Sequence, residues 1–499
     1  IRQNRREPSD AQKIMPGDSV KNKFFTRNFE PAAQSLQALK KGMIIYMKKD
    51  HQNINSITEG VIWKQILIFF FPLLLGNFFQ QLYNTTDAVV VGQFVGKKAL
   101  SAVGGTTGTL INLLVGFFMG VSSGATVTIS QYYGAKNEGE VSKAVHTSIA
   151  LAIVGGAAIM LIGLIGAPFA LTWMGTPEEI MPEALTYIRI YFGGMIANLL
   201  YNMGAGILRA IGDSRRPLYY LIAGCLVNIV LDIVFVAVFH WGVFGVAIAT
   251  VLSQISSAVL VCITLIKTRN SYRLNIKEIR FHKLILMKII EVGLPAGFQS
   301  MMYSFSNVII QSSVNRFGTN VIAAWTAYGK IDGIFWMTMS SFGISVTTFV
   351  GQNFGAAKYD RVKKGIRVCL VMAMSVAIGM SVILYGGGSV IYRLFTQDEL
   401  VIAKGMEILH FLVPTFFTYV CIEILSGSLR GMGSSLIPMI LTSLGVCVLR
   451  IVWIFTMLPI WPDVKTVLVS YPISWVVTSI LFIVYFIWYT RKHNYGLKK

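Results

Sequence analysis

Charge is what this sequence lacks. Aspartate and glutamate number only 23, and all charged residues make up 13% of the 499 positions, against roughly 25% in a soluble domain. With 54% hydrophobic residues and a mean hydropathy of +0.62, the chain cannot cover a water-facing surface. The five cysteines (Cys225, Cys262, Cys369, Cys421, Cys447) sit in or at the ends of apolar runs without a CxxC pair, so they read as core fillers rather than metal ligands or disulfides. Six scattered histidines offer no ligand spacing, and no nucleotide-binding loop or nucleophile elbow occurs. Bond-breaking chemistry therefore has no motif to carry it. The chain is expected not to be an enzyme, and no cofactor is expected.

What the sequence has instead is long apolar runs. Segments of about 20 residues, enough to cross a bilayer core as helices, fall near 62–92, 103–131, 144–167, 183–207, 217–239, 243–266, 285–314, 321–350, 367–388, 402–427, 436–459 and 466–490. The expected class is an all-α integral membrane protein of twelve spans. Two motifs recur in one register. Gln131-Tyr132-Tyr133-Gly134-Ala135-Lys136 returns as Gln352-Asn353-Phe354-Gly355-Ala356-Ala357-Lys358, and Leu208-Arg209-Ala210-Ile211-Gly212-Asp213-Ser214 returns as Leu429-Arg430-Gly431-Met432-Gly433-Ser434-Ser435. Both offsets are 221 (352 − 131 and 429 − 208), and Pro72 and Pro295 recur at nearly that spacing. A period this long is a duplicated domain. The expected layout is an amino-terminal lobe over 61–266, a basic linker over 267–284 read as an interfacial helix, and a carboxy-terminal lobe over 285–490.

Lysine and arginine sort by side. They crowd the loops after even-numbered spans and thin out after odd-numbered ones, which places both termini in the cytoplasm. The net charge of +20 is largely this asymmetry plus the tail, so a nucleic-acid partner is not required. Six spans per half make the lobes parallel repeats, with a site expected between them. Residues 1–60 are polar and basic without a signal-peptide core, and residues 491–499 form a short tail. Met47 reads as a natural start, with 1–46 a disordered extension or a basic arm at the membrane surface.

Ionisable groups inside spans cost roughly 2.5–3.5 kcal/mol each at a helix centre and normally face a cavity or a partner. Asp87 lies roughly 7–13 Å below the outer end of span 1, while Asp232 in span 5 and Thr250 in span 6 each lie about 12 Å deep at 1.5 Å per residue. Asn228 is one turn below Asp232, and Gln80 two turns below Asp87. In the second half, Trp453 and Ile310 stand where the repeat would place the two acids. An acid pair kept in one half reads as an ion site rather than a folding requirement. The two carboxyls are expected to act as one coupled carrier. Pro72, inside span 1, breaks one backbone hydrogen bond and marks a candidate bend. Asp332 and Arg450 lie at similar depths in spans 8 and 11, about 16 and 14 Å, so an internal ion pair is expected there.

The stretch Asn77–Gly92, Gln131-Tyr-Tyr-Gly-Ala-Lys, LRAIGDSRRP, VNIVLDIVF and GVAIATVLSQ resemble the multidrug and toxic compound extrusion (MATE) transporters, in particular the DinF-like bacterial branch. The resemblance covers about residues 58–490. It implies an inward V-shaped pair of six-helix lobes that exports cationic or amphiphilic small molecules against Na+ or H+ across the plasma membrane. It also implies a cation site at Asp87, Asn228, Asp232 and Thr250, with Gln80, Tyr187 and Asn202 nearby. Na+ at Asp87 and Asp232 is the sole metal expected. The expected partners are the bilayer and small-molecule substrates, and the expected state is a monomer. Two other readings stay open. A lipid-linked oligosaccharide flippase of the same superfamily would show a basic cavity, and a channel or receptor would show no substrate-driven ion flux.

Overall fold

The computed structural model describes residues 57–493. The expected start at Met47 and the expected arm over 1–46 lie outside them, as do residues 494–499. Among the described residues every regular element is helical. Spans 1 to 3 are Ile62–Val95, Thr106–Gly134 and Glu138–Trp173; spans 5 to 9 are Arg215–Val238, Gly242–Lys267, Lys283–Val314, Thr319–Gly355 and Tyr359–Arg393; spans 11 and 12 are Leu436–Met457 and Val464–Lys492. A short helix, Lys97–Gly104, precedes span 2. Exposed apolar side chains such as Ile162, Ile165 and Phe169 on span 3 and Val371, Ile378 and Val382 on span 9 suit a hydrocarbon solvent.

The fourth span of each half is broken at the same place in the repeat. Span 4 consists of Met181–Gly193 and Met195–Ala210, interrupted at Gly194. Span 10 consists of Glu399–Leu412 and Phe417–Gly431, joined through the turn Val413–Thr415 and bent by 51°. Thr415 is the repeat equivalent of Gly194 (415 − 194 = 221). Pro414, which lacks a backbone donor, enforces the break in the second copy. Span 1, by contrast, runs as one helix through Pro72.

The duplication extends to single backbone angles. Lys136 and Ala357 both take φ 56°, and Gly212 and Gly433 take 96° and 93°, each pair 221 residues apart. The helix ends before them are capped alike: Asn137 N donates to Tyr132 O and Lys358 N to Asn353 O, at 3.0 and 2.9 Å. These are the left-handed caps that end helices by satisfying their last carbonyls.

The halves meet along spans 1, 2, 7 and 8. Spans 2 and 7 approach backbone to backbone through glycines: a Cβ at Gly120 would lie 2.3 Å from the Gly297 nitrogen, and one at Gly124 would lie 2.2 Å from the Ile289 carbonyl oxygen. Small residues permit such approach where no hydrophobic drive favours helix association over lipid. Spans 1 and 8 meet through larger groups. Phe70 stacks on Phe342 with centroids 4.1 Å apart, and Asn77 Nδ2 donates to Ser341 Oγ at 3.1 Å. Gly120→Ala is expected to lower the unfolding midpoint in detergent, because overpacking costs about 1–3 kcal/mol. Gly104→Ala, where a Cβ meets nothing within 4 Å, is expected to leave that midpoint unchanged or raise it.

Each half also holds the strand of chain that enters the other. Arg361 on span 9 donates to the Ile57, Glu59 and Gly60 carbonyls ahead of span 1. His146 on span 3 accepts from Asn275 N at 2.9 Å, ahead of span 7. The linker is therefore not the interfacial helix its basic composition suggested. Tyr272 and Leu274 are buried, the Asn275 backbone is engaged by span 3, and only the turn Ile276–Glu278 is helical.

Candidate functional site

Three helices of the first half bring the acid pair together. Asp87 and Asp232 each stand in the last turn of the α-helical part of their span. Wider π turns follow and complete the spans, Val91–Val95 in span 1 and Ile233–Val238 in span 5. Such turns are rare and recur at functional sites. Span 6 starts at Gly242 and carries Thr250 two turns along. Close packing of spans 5 and 6 rests on Gly224, where a Cβ would lie 2.2 Å from Ser257 Oγ.

Asp232 and Asn228 are fully buried, Thr250 is 1% exposed and Asp87 6%. The Asp87 carboxyl interacts with Asp232, Asn228 and Thr250. Thr250 Oγ1 lies 3.4 Å from Asp87 Oδ2 and 2.9 Å from the Val246 carbonyl; its single proton serves one of them at a time. Asp87 Oδ1, both Asp232 oxygens and both polar atoms of Asn228 are buried without a hydrogen-bond partner among the described residues. So is the Tyr83 hydroxyl. Unsatisfied buried oxygens are expensive in a low-dielectric interior. A cluster of carboxylate, amide and hydroxyl oxygens is the donor set a hard cation takes.

Asp87, Asp232 and Thr250, expected at similar depth with Asn228 one turn below, lie together in the structure. Tyr187 joins them: it is buried and interacts with Asp87, Asp232 and Thr250. Gln80 does not. It is exposed, on a stretch of span 1 whose Asn77 turns toward span 8. Asn202 does not join them either. Its amide donates to Asn198, and it lines a separate cavity of about 20 Å3 with Ser122 and Met203. Sequence reasoning missed Tyr83 and Tyr191, whose hydroxyl-bearing rings also flank Asp87. In the second half Ile310 is buried and the Trp453 indole donates to Thr466 O, so nothing there repeats the acid pair.

Asp332 and Arg450 share a cavity of about 420 Å3 with Tyr328, Trp336, Tyr419 and Tyr471. They interact across it but form no contact ion pair within 4.0 Å among the described residues, which corrects the expectation. The Trp336 indole donates to Asp332 Oδ2. Arg450 donates to Ser474 Oγ at 3.0 Å and lies 3.9 Å over the Tyr471 ring. Asp332 Oδ1 and Arg450 Nε remain buried without a hydrogen-bond partner among the described residues.

A further cavity of about 280 Å3 lies between the halves. Spans 2, 4, 7, 8 and 10 line it, with Arg209, Glu423, Arg430, Thr126, Thr347 and Tyr303 among its walls. It holds two arginines and one carboxylate.

A duplicated helical membrane protein with a polar cluster in one half and a cavity between the halves is a membrane transporter by architecture. A family model described as MatE matches residues 72–234 and 295–456, one match in each half. The chain belongs to the MATE family. It is 28% identical over 437 residues to the "Probable multidrug resistance protein YoeA" of Bacillus subtilis, covering 86% of this chain and 94% of that protein. The "Multidrug export protein MepA" of Staphylococcus aureus is 22% identical, covering 72% and 79% respectively. A solved structure described as "MATE in the bent conformation" superposes with a TM-score of 0.83 at 21% identity, covering 89% of this chain and 99% of that one. That likeness shows the fold.

Proposed function

We propose that this transporter is a secondary antiporter that exports cationic or amphiphilic small molecules in exchange for Na+ or H+ loaded at Asp87 and Asp232. One observation carries the reading. A set of buried oxygens from Asp87, Asp232 and Asn228 has no hydrogen-bond partner among the described residues, and the second half has Ile310 and Trp453 where the repeat would place the two acids. A cation entering the cluster relieves carboxylate repulsion and supplies the missing partner, so ion binding and local packing share one free energy. Relatives named for multidrug resistance and multidrug export support the substrate class.

The loops rich in Lys and Arg lie in the cytoplasm on this reading, with both termini there and the acid pair toward the outer face. The inter-lobe cavity receives the exported compound, and movement of one half against the other exposes it to either side. The flippase reading asks for a basic cavity; this one carries two arginines and one carboxylate, and relatives named for multidrug resistance and export favour efflux.

The test is efflux from cells expressing the full chain, with the sodium and proton gradients dissipated separately. Export should collapse with one gradient and survive loss of the other. Export that survives loss of both would refute the antiport reading.

A further inference from the structure

Arg209 and Arg430 are repeat equivalents (430 − 209 = 221), and each is the penultimate residue of its helix. Helix-end arginines usually reach out to lipid phosphate or water. These two instead line the inter-lobe cavity. The Arg209 side chain makes no ion pair or hydrogen bond among the described residues. Arg430 has a buried Nε without a partner, and the one hydrogen bond its side chain makes among the described residues, to Ser426 Oγ, is long at 3.4 Å. The repeat places Thr126 and Thr347 symmetrically beside them (347 − 126 = 221).

Glu423 breaks the symmetry. Its equivalent in the first half is Asn202, which lies against Ser122 through its backbone carbonyl. Glu423 sits where span 8 has no side chain, since a Cβ at Gly343 would lie 2.1 Å from its Oε1. Its other oxygen accepts from the Tyr419 hydroxyl at 2.9 Å, and that hydroxyl lies 3.3 Å from the Tyr303 hydroxyl. Glu423 also attracts Arg430 electrostatically without a contact ion pair. Two guanidinium groups and one carboxylate leave the walls with a surplus positive charge and unused planar donors. A guanidinium fork matches the two oxygens of a carboxylate, sulfonate or phosphate.

We propose that Arg209 and Arg430 form a recognition site for the anionic group of an exported amphiphile, with Glu423 as a built-in competitor for Arg430. The inference rests on the efflux reading above and adds to it a substrate class: amphiphiles that carry an acid group, alone or beside a cation. The cavity of about 280 Å3 is at the small end for a ligand site, so it takes the head of such a molecule.

A matched pair of dyes tests this. Rhodamine B carries a carboxylate beside its delocalised cation, and its ethyl ester keeps the aromatic body and the cation but lacks the acid. Binding is measured by fluorescence anisotropy on the full chain in phosphatidylcholine nanodiscs, where no anionic lipid competes. The wild type should bind rhodamine B more tightly than the ester. Arg430→Gln and Arg209→Gln should each weaken rhodamine B about tenfold and move the ester by less than about twofold. Glu423→Gln should tighten rhodamine B, a gain that misfolding does not produce. Equal affinity for both dyes in the wild type, or no gain in Glu423→Gln, would overturn the proposal. Gradient-driven export of the ester alongside that result would leave the efflux reading standing and remove only the anion site.

Discussion

Asp232→Asn should insert and fold yet lose gradient-driven efflux, and Asp87→Asn should do the same. Folding survives because the amide keeps the shape of the carboxyl and removes a buried charge. Neither Asp232 oxygen holds a hydrogen bond that the change would break. Transport fails because a neutral amide cannot load a proton and contributes no charge to a bound Na+. Coupling free energies of about 1–3 kcal/mol correspond to ~5–150-fold effects, so each variant should lose at least about tenfold in initial rate. The measurement is dye accumulation in proteoliposomes under imposed sodium or proton gradients, with the unfolding midpoint as a control for folding. Proton and sodium compete for the same oxygens, so lowering the external pH should raise the sodium concentration that half-saturates the wild type. A single variant with full transport and unchanged sodium and pH dependence would show that its residue does not carry the coupling ion.

Much of the architecture was legible because membrane helices are long, apolar and linear. Depth along a helix is a matter of counting, which is why Asp87, Asp232 and Thr250 could be set at one level before their neighbours were known. Rotation about the helix axis and choice of neighbour cannot be counted in the same way. Gln80 shares the spacing of Asp87 but is exposed, three residues after an Asn77 that bonds to span 8. Asp332 and Arg450 do lie around one cavity, yet each bonds elsewhere, Asp332 Oδ2 to Trp336 and Arg450 to Ser474 and the Tyr471 ring, while Asp332 Oδ1 and Arg450 Nε stay without a hydrogen-bond partner among the described residues. Arg209 and Arg430 read as loop charges because they stand at helix ends. Both line the cavity between the halves, a placement that no single stretch of sequence records. The break in span 10 had a visible cause in Pro414, whereas Gly194 gives no comparable signal.

Gly134→Val should leave a folded protein whose halves can no longer close at the face bearing the basic loops. A Cβ at Gly134 would lie 1.9 Å from the Gln352 carbonyl oxygen, and one at Gly355 would lie 1.9 Å from that of Gln131. Cβ contacts under 3.0 Å essentially never occur, and a backbone oxygen cannot swing aside as a side chain can. The same junction is latched twice, once from each half: Gln131 Nε2 donates to Gly431 O at 2.9 Å, and Gln352 Nε2 donates to Ala210 O at 2.6 Å. Donors and acceptors are both 221 residues apart, so the latch is the repeat acting on itself. Hydrogen bonds between membrane helices average about 0.6 kcal/mol, so Gln131→Ala should shift the closed population only roughly threefold. The valine, wedged between backbones, should part the halves in most molecules and cut efflux at least about tenfold, with Gly355→Val its mirror image. Spin labels at Glu138 and Asp360, exposed on the loop side of the two repeats, report the outcome by pulsed electron resonance. The distance between them should lengthen and broaden in Gly134→Val, shift slightly in Gln131→Ala, and stay put in Gly104→Ala. Wild-type distances with full efflux in Gly134→Val would mean that closure at this face is not a step in transport.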